Sequence, residues 1–221
     1  MKVELVSLSK PSAITGVNSP DEFVAYCARV SNPGNQNNPK TAAGLLKYLI
    51  RNEHWSPFEM VSITMSIETT RDISHQIVRH RSFSYQEFSQ RYAVSDTFTV
   101  REARKQDLKN RQNSIELDPS NIEDRHLAEA WTMKQAEALR ANRAVYEWAL
   151  QQGIAKEQAR AVLPEGLTGT TLYMAGSLRS WIHYCQLRMA NGTQKEHQQI
   201  AELCWDIIGT HFPSVVKAYE D

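Results

Sequence analysis

The sequence predicts one α+β domain over residues 1–221. Residues 61–67 alternate between apolar and polar side chains, the period of a half-buried β-strand. Residues 19–22 (Ser-Pro-Asp-Glu) and 120–123 (Ser-Asn-Ile-Glu) have the spacing of helix capping boxes. No repeat, low-complexity tract or linker divides the chain, so a single domain is the simplest organisation.

The first hundred residues are predicted to mix strands and helices. The predicted strands are residues 3–8, 61–67 and 92–100, and the predicted helices are residues 20–31, 41–52 and 71–80. Ser19 is the expected N-cap of the first helix and Pro20 its first residue, because proline has no N–H to lose there. Residues 32–40 are rich in turn formers and are predicted to be a loop.

The second half of the chain is predicted to be mostly helical. The predicted helices span residues 122–153, 155–163, 171–190 and 194–210, with a polar surface excursion at 101–119 before them. At about 100° per residue, Arg179 and His183 fall on one face of the third helix and Arg188 on the opposite face. The two arginines are therefore expected to serve different pockets, or one site that a neighbouring chain completes.

Composition argues against several classes of protein. Lys+Arg and Asp+Glu each number 25, so no net field draws the chain to nucleic acid or to a membrane. Three widely spaced cysteines, a strand-like N-terminus and the lack of a long apolar run predict a cytoplasmic protein. Cys185 lies in an apolar helical run and is expected to be a buried structural thiol rather than a nucleophile.

The seven histidines show no spacing typical of a metal site, so no metal is expected. Three of them, His126, His197 and His211, are expected on the surface or in packing contacts.

Residues 79–92, RHRSFSYQEFSQRY, concentrate cationic and hydrogen-bonding side chains. The three arginines each offer a planar fork of donors that suits phosphate or a carbonyl edge. The serines can donate to phosphate, and Glu87 can accept from a ribose hydroxyl. Gln76 lies one helical turn before Arg79 and can read the edge of a base. The stretch predicts a site for an anionic, flat ligand; a loop closed by internal salt bridges is the alternative.

Several segments resemble flavin-dependent thymidylate synthases. Arg79-His80-Arg81, followed by seven residues and Ser89, matches the RHR-x7-S signature of that family. Four further segments are similar to the family in the same order: ARVS at 28–31, HWSPFE at 54–59, ARAVLP at 159–164 and RSWIHYCQLR at 179–188. The resemblance covers most of the chain.

The resemblance implies a mixed α/β fold with an antiparallel sheet and long helices, assembled as a homotetramer with sites shared between subunits. It implies reductive methylation of deoxyuridine monophosphate (dUMP) to dTMP. The implied cofactor is FAD, with 5,10-methylenetetrahydrofolate as methylene donor and NADPH as reductant of the flavin. Neither a nucleic-acid nor a membrane partner is expected.

The resemblance also assigns residues by position. The implied FAD contacts are Ser31, Ser56, Glu59, Arg79, His80, Arg81, Glu87, Ser177, Arg179 and His183. The implied nucleotide contacts are Gln76, Arg79, Glu87, Phe88, Ser89, Gln90, Arg91, Arg160 and Arg188. Catalytic roles are implied for Arg188, which favours ionisation at N3 of the uracil, for Ser89, and for His54 near the flavin.

Four positions depart from the family pattern. Gln86, Ser177 and His183 stand where the family often has asparagine, and Met60 replaces a common histidine. The asparagines at 177 and 183 contact the flavin in the family, so these changes bear on flavin affinity and orientation.

Two other functions compete with this interpretation. The same fold could bind a nucleotide or flavin without chemistry, although Arg188 and Ser89 together would then have no purpose. Alternatively, the arginines and aromatics of residues 79–92 could bind single-stranded nucleic acid. The zero net charge argues against the second function, and steeply salt-dependent oligonucleotide binding would argue for it.

Overall fold

A four-stranded antiparallel sheet lies at the centre of the computed structural model, which describes residues 1–220. The strands are β1 (Lys2–Leu8), β2 (Ser62–Thr70), β3 (Ser84–Glu87), β4 (Arg104–Gln106), β5 (Ser114–Glu116) and β6 (Gly169–Ser177). The helices are α1 (Pro20–Ala28), α2 (Ala42–Arg51), α3 (Arg71–Ile77), α4 (Ile122–Gln151), α5 (Lys156–Ala159), α6 (Leu178–Arg188), α7 (Lys195–His211) and α8 (Pro213–Glu220). The predicted α+β class with an antiparallel sheet and long helices is confirmed.

The sheet runs in the order β1-β2-β6-β3, and β4 pairs with β5 in a separate hairpin. Met65 on β2 lies opposite Leu5 on one side and Met174 on the other. Because side chains alternate along a strand, this register turns Met65, Met174 and Leu172 to the same face. These three side chains are fully buried and share one core cluster with residues of helices α1, α2, α3, α6, α7 and α8.

Helix α6 is tied to the sheet by Trp181. The indole is fully buried and donates through Nε1 to the carbonyl oxygen of Ile63 over 3.1 Å. A buried indole N–H without an acceptor would be destabilising, so this bond fixes how α6 lies on β2.

The first helix begins as the sequence predicts. Ser19 Oγ accepts from the backbone N–H of Glu22 over 3.2 Å, and the Glu22 carboxylate accepts from the backbone N–H of Ser19 over 3.3 Å. The loop at 32–40 contains only short 3₁₀ turns. The predicted strand at 61–67 and the helices at 41–52 and 194–210 are also present within a few residues.

The predicted helix at 171–190 is wrong in its first half, where residues 169–177 form the central strand β6. Thr170, Leu172 and Met174 are buried at alternate positions, the period of a strand. Ser177 then caps α6 by accepting from the backbone N–H of Ser180 over 3.2 Å. The buried strand β6 is followed directly by helix α6, so the apolar residues of the two elements form one continuous pattern in the sequence. That pattern predicts a single helix.

Two smaller predictions are wrong, and two elements were not predicted. Residues 92–100 make only one bridge, between Phe98 and Thr168, rather than a strand. Asn121, not Ser120, caps α4, because its side chain accepts from the backbone N–H groups of the first turn. The surface excursion at 101–119 contains the β4–β5 hairpin, and α8 has no counterpart among the predicted helices.

Gly176 on β6 allows a close approach by Phe83, the buried residue that precedes β3. A Cβ on residue 176 would lie 2.4 Å from Cδ1 of Phe83. Phe83 also packs edge-on against Trp181, with ring centroids 4.9 Å apart, so it has little room to move away. The position of the segment before β3 therefore depends on the lack of a side chain at 176.

We expect Gly176→Ala to lower the free energy of unfolding by about 1–3 kcal/mol, because the added methyl overpacks the core. Equilibrium urea unfolding measures the change. Gly44→Ala is the matched control, since a Cβ there meets no atom within 4 Å and the site is in the helix α2. Equal stability of Gly176→Ala and the unmodified protein would contradict this account of the Phe83 contact.

Candidate active site

The turn between α3 and β3 carries Arg79 and Arg81, and the hydroxyl of Tyr85 hydrogen-bonds to its backbone. The hydroxyl of Tyr85 lies 3.0 Å from the carbonyl oxygen of Ile77 and 2.7 Å from that of His80, and donates to this pair. Burial raises the pKa of Tyr85 to about 12, so the hydroxyl keeps its proton. The two arginines therefore project from a fixed backbone.

The guanidinium groups of Arg79 and Arg81 are exposed. Neither has a hydrogen-bond or ion-pair partner among residues 1–220. They border a shallow depression with His75, Gln76 and Val78. The alternative of a loop closed by internal salt bridges is thus not realised at these two arginines, which are available to an anionic ligand.

Arg188 contacts the same turn from the end of α6. Its Nε donates to Nε2 of His80 over 2.9 Å. Arginine has only donors, so Nε2 of His80 must be unprotonated. Burial, and secondly the charge of Arg188, lowers the pKa of His80 to about 4. The two terminal nitrogens of Arg188 have no partner in the described part of the chain and remain available.

Glu87 ends β3 and is held through one carboxylate oxygen. Oε1 accepts from the hydroxyls of Ser74 and Thr170, each over 2.9 Å, and lies 3.4 Å from Nη1 of Arg71. Within residues 1–220, Oε2 has no partner. The carboxylate is therefore fixed in orientation and still has one oxygen to offer a ligand.

Gln76 on α3 is bonded to the start of α7. Its Nε2 donates to Oε1 of Gln194 over 2.7 Å, and its Oε1 lies 3.3 Å from Nδ1 of His197. His197 is fully buried, and its Nε2 lies 3.0 Å from the hydroxyl of Tyr184. The amide of Gln76 is thus oriented by two neighbours.

The end of the 79–92 stretch lies beside α5. Arg91 Nε lies 3.2 Å from Oε2 of Glu157, an exposed ion pair worth little to stability. Arg160 follows in a 3₁₀ turn, and its guanidinium has no partner in the described chain. Ser89 is exposed and its hydroxyl accepts from the backbone N–H of Arg91 over 3.4 Å. The fold therefore brings Ser89, Arg91 and the Arg160 turn to one region.

Phe88 and Gln90 differ in what they can offer. Phe88 is 37% exposed, enough for one face of its ring to meet a ligand. Gln90 is 4% exposed, and its side-chain amide donates to the hydroxyl of Ser95 over 3.0 Å. Gln90 thus uses its side chain inside the fold.

A second group of candidate residues surrounds the 3₁₀ turn Ser56–Met60. Arg179 at the start of α6 donates to the Glu59 carboxylate, and the ring of His183 meets that of Trp55 edge-on at 4.5 Å. Burial, followed by the charge of Arg179, lowers the pKa of His183.

The remaining candidates are spread around these elements. His54 packs edge-on against Tyr48, with ring centroids 5.9 Å apart. Ser31 and Ser56 are exposed, and the hydroxyl of Ser177 is occupied as the N-cap of α6. Nine residues of helix place Arg179 and Arg188 roughly 14 Å apart along the axis. They contact different residues, as their predicted faces imply.

Sequence reasoning missed the residues that orient these groups. Ser74 and Thr170 hold Glu87, and Gln194 and His197 hold Gln76. The prediction that His197 lies on the surface or in packing contacts did not anticipate its hydrogen bonds. No motif marks such residues, because they come from elements that meet only in three dimensions.

Cys185 is buried as predicted, and burial raises the pKa of its thiol well above the ordinary value. No helix within residues 1–220 is both long and apolar enough to cross a membrane. The same residues contain no cluster of histidine, cysteine and carboxylate side chains that could hold a metal ion.

Comparison with known proteins identifies close relatives. Residues 13–214 match the family model described as thymidylate synthase complementing protein. The chain is 48% identical over 221 residues to a probable flavin-dependent thymidylate synthase of Paramecium bursaria Chlorella virus 1, covering 100% of this chain and 99% of the relative. It is also 48% identical over 223 residues to the flavin-dependent thymidylate synthase of Synechocystis sp., covering 100% of both.

A solved structure agrees with these sequence relatives. The UMP/dUMP methylase PolB from Streptomyces cacaoi, bound with 5-Br dUMP, superposes with a TM-score of 0.82. It is 28% identical, and the match covers 99% of this chain and 94% of that one.

The two histidines near Arg188 should make stability depend on pH. Burial, followed by nearby positive charge, lowers the pKa of His80 from 6.5 to about 4 and that of His197 from 6.5 to about 3. The unfolded chain binds more protons below pH 6.5, so the free energy of unfolding should fall from pH 6.5 towards 4 and stay level above 6.5. Each histidine contributes at most about 1.4 kcal/mol per pH unit.

Urea unfolding at pH 5 and pH 7 tests this expectation. His197→Asn removes one of the two groups, so its stability should change less between the two pH values. His126→Asn, at an exposed position on α4, should behave like the unmodified protein. The same pH dependence in all three proteins would show that His197 is not held neutral in the folded state.

Proposed function

This chain belongs to the flavin-dependent thymidylate synthases, and we propose from its geometry how its residues methylate dUMP to dTMP. It is a flavin-dependent methyltransferase, on the strength of 48% identity to two members over its full length. The structural neighbour bound to 5-Br dUMP supports dUMP as the substrate. The family match over residues 13–214 supports a single domain.

The diphosphate of FAD matches the positive charges of two arginines that have no partner in the described chain. Arg79 and Arg81 have no partner in the described chain and suit the two phosphates of a dinucleotide. The sequence contains no G-x-G-x-x-G turn, so arginines must hold the diphosphate in place of a Rossmann turn. When bound, the flavin supplies the hydride of the reductive step. We propose NADPH as its reductant and 5,10-methylenetetrahydrofolate as the methylene donor.

The second group of residues is proposed to complete the flavin site. His183, held against Trp55, and Arg179, paired with Glu59, present flat and charged surfaces on one side of α6. His54 and the hydroxyls of Ser31 and Ser56 are exposed and are proposed to contribute to the same site.

Glu87 and the region beside α5 are proposed to bind the ribose and phosphate of dUMP. The free Oε2 of Glu87 can accept from a ribose hydroxyl, while Oε1 is held by Ser74 and Thr170. The unpaired guanidinium of Arg160 and the exposed hydroxyl of Ser89 suit the phosphate. Arg91 can join them by leaving its exposed ion pair at small cost.

Arg188 is proposed to activate the uracil. The observation that carries this assignment is its bond to neutral His80, which fixes the guanidinium through Nε and leaves both terminal nitrogens free. Such a preorganised cation stabilises the negative charge that develops on the ring when N3 ionises, and C5 becomes nucleophilic. His80 remains a neutral acceptor and so does not repel Arg188.

Cys185 does not compete as a nucleophile. It is fully buried on α6, and burial raises the pKa of its thiol well above the ordinary value, so the reactive thiolate is disfavoured. Activation of C5 by the charge of Arg188 needs no enzyme thiol.

Assembly as a homotetramer with shared sites is proposed because one chain leaves two features uncovered. Helix α4 exposes six large apolar side chains: Ile122, Leu127, Trp131, Met133, Val145 and Trp148. The region near α5 packs on a small separate core around Tyr146, whereas the α3–β3 turn packs on the main core. A neighbouring copy can bring the two regions together. The free cysteines support a cytoplasmic location.

The proposed chemistry predicts a defined phenotype for Arg188→Ala. We expect kcat for dTMP formation to fall about 10²–10³-fold, as when one preorganised donor is removed from an anion site. Flavin absorbance of the purified variant should persist, because Arg79 and Arg81 are intact. The measurement is the visible spectrum with FAD, then with NADPH, followed by dTMP formation after adding dUMP and methylenetetrahydrofolate.

Arg188→Lys is the matched control for this experiment: it keeps the charge without the planar fork and should recover only part of the rate. Full activity of Arg188→Ala would remove Arg188 from uracil activation. If the unmodified protein binds no flavin, the proposed function is wrong. Oligonucleotide binding that weakens steeply with salt would then favour the nucleic-acid alternative.

Shared sites predict that two inactive variants restore each other. Arg160→Ala and Arg188→Ala should each be nearly inactive alone, and reassembled mixtures should recover about a quarter of normal activity. In tetramers assembled at random from an equal mixture, each chain that contributes to a site carries the arginine needed there in about half of the cases. About a quarter of the sites therefore contain both intact arginines. Light scattering should give four times the 25.2 kDa chain mass. Mixed tetramers without activity would indicate that each chain supplies both arginines to its own site.

A further inference from the structure

A chain of side-chain hydrogen bonds runs from an ion cluster at the start of α7 to the buried residue Tyr184. It begins at the buried residue Glu196, whose carboxylate contacts Arg101 and Arg104. It then passes through Gln194 and Gln76. It ends at His197 and Tyr184, which are both almost completely buried.

The carboxylate sets the direction of every bond in this chain. An ionised carboxylate only accepts, so Gln194 must turn its NH₂ towards Glu196, over 2.9 Å. The carbonyl oxygen of Gln194 then faces Gln76 and accepts from its NH₂ over 2.7 Å. The carbonyl oxygen of Gln76 is left facing His197.

His197 completes the sequence at its two ring nitrogens. Its Nδ1 lies 3.3 Å from the carbonyl oxygen of Gln76, so Nδ1 must carry the proton and donate. Its Nε2 must then accept, and the hydroxyl of Tyr184 at 3.0 Å is the donor. Only one arrangement of donors and acceptors makes all four hydrogen bonds, and it fixes which way the Gln76 amide faces.

The geometry points to His197 as a positioning residue for dUMP, acting through the amide of Gln76. This inference rests on the proposed function, in which Gln76 contacts the nucleotide. Gln76 uses one N–H in its bond to Gln194 and one lone pair in its bond to His197. Its second N–H and second lone pair remain for a ligand, and the two bonds fix on which side of the amide each of them lies. Without His197 the carbonyl oxygen of Gln76 loses its donor, and only the bond to Gln194 still holds the amide.

Replacing His197 in two ways tests the inference. Asparagine places its N–H close to the position of Nδ1, so His197→Asn should keep the bond to Gln76. Phenylalanine fills similar space without a donor, so His197→Phe should raise the Kd for dUMP about tenfold, the effect of about one hydrogen bond. kcat at saturating dUMP should change less than about twofold in both variants, because Arg188 is untouched.

Gln194→Met provides a second test that leaves the buried histidine in place. Gln194 is partly exposed, and methionine there removes the hydrogen bonds to both Glu196 and Gln76. This variant should also weaken dUMP binding several-fold. Isothermal titration calorimetry of dUMP into the flavin-loaded protein measures all variants, with exposed His126→Phe on α4 as the control. In ¹⁵N-histidine spectra, His197 Nδ1 should carry the proton, with the signal assigned by its disappearance in His197→Asn.

The outcomes separate this inference from the proposed function. If Gln76→Met weakens dUMP binding while His197→Phe and Gln194→Met bind normally, the positioning role is wrong and the function stands. If Gln76→Met binds dUMP normally, Gln76 is outside the nucleotide site and the inference fails with that assignment. If the unmodified protein binds no dUMP, the proposed function itself fails. If the proton of His197 is instead found on Nε2, the proposed order of donors and acceptors from Glu196 to Tyr184 is wrong, whatever the result for dUMP binding.

Discussion

The antiparallel pairing of β6 with both β2 and β3 is the constraint on which the site depends. Because β3 is an edge strand of only four residues, its register against β6 fixes where the preceding turn and the following residues lie. That register puts Glu87 opposite Leu172, close enough for Thr170 to donate to its carboxylate. It also places Phe83 against Gly176. The backbone that carries the arginines on either side of β3 is positioned by this register, together with the hydrogen bonds of the Tyr85 hydroxyl.

Charge pairing separates structural cations from cations that remain available. Arg101 and Arg104 are largely buried and share the Glu196 carboxylate, and Lys195 pairs with Glu102 and Glu116. These bonds join the loop around β4 and β5 to α7. Arg79, Arg81 and Arg160 have no such partners in the described chain. A chain with no net charge thus keeps a local excess of positive charge where an anionic ligand is expected.

The sequence is most informative where chemistry and local periodicity coincide. The capping box at Ser19 and the alternation at 61–67 depend on neighbours in sequence, and both predictions are confirmed. The sequence predicts helix where β6 forms, because what makes it a strand is the pairing with β2 and β3, and β2 lies about a hundred residues away along the chain. The partners of Glu87 and Gln76 are unpredictable for the same reason. A motif can identify Glu87, but only the fold shows that Ser74 and Thr170 occupy one of its oxygens.

Two of the four departures from the family pattern, at residues 177 and 183, have a physical explanation at α6. Ser177 caps this helix, and serine and asparagine are both strong N-caps, so the exchange keeps the helix start intact. His183 replaces asparagine with a ring, and that ring packs edge-on against Trp55, which an amide could not do to the same extent. Both substitutions therefore preserve or add to the local packing while changing the groups that face outward. Trp181 ties the backbone of α6 to β2 independently of residues 177 and 183, and Arg188 is held by His80 at the other end of the helix. The exchanges at 177 and 183 therefore leave the position of Arg188 unchanged.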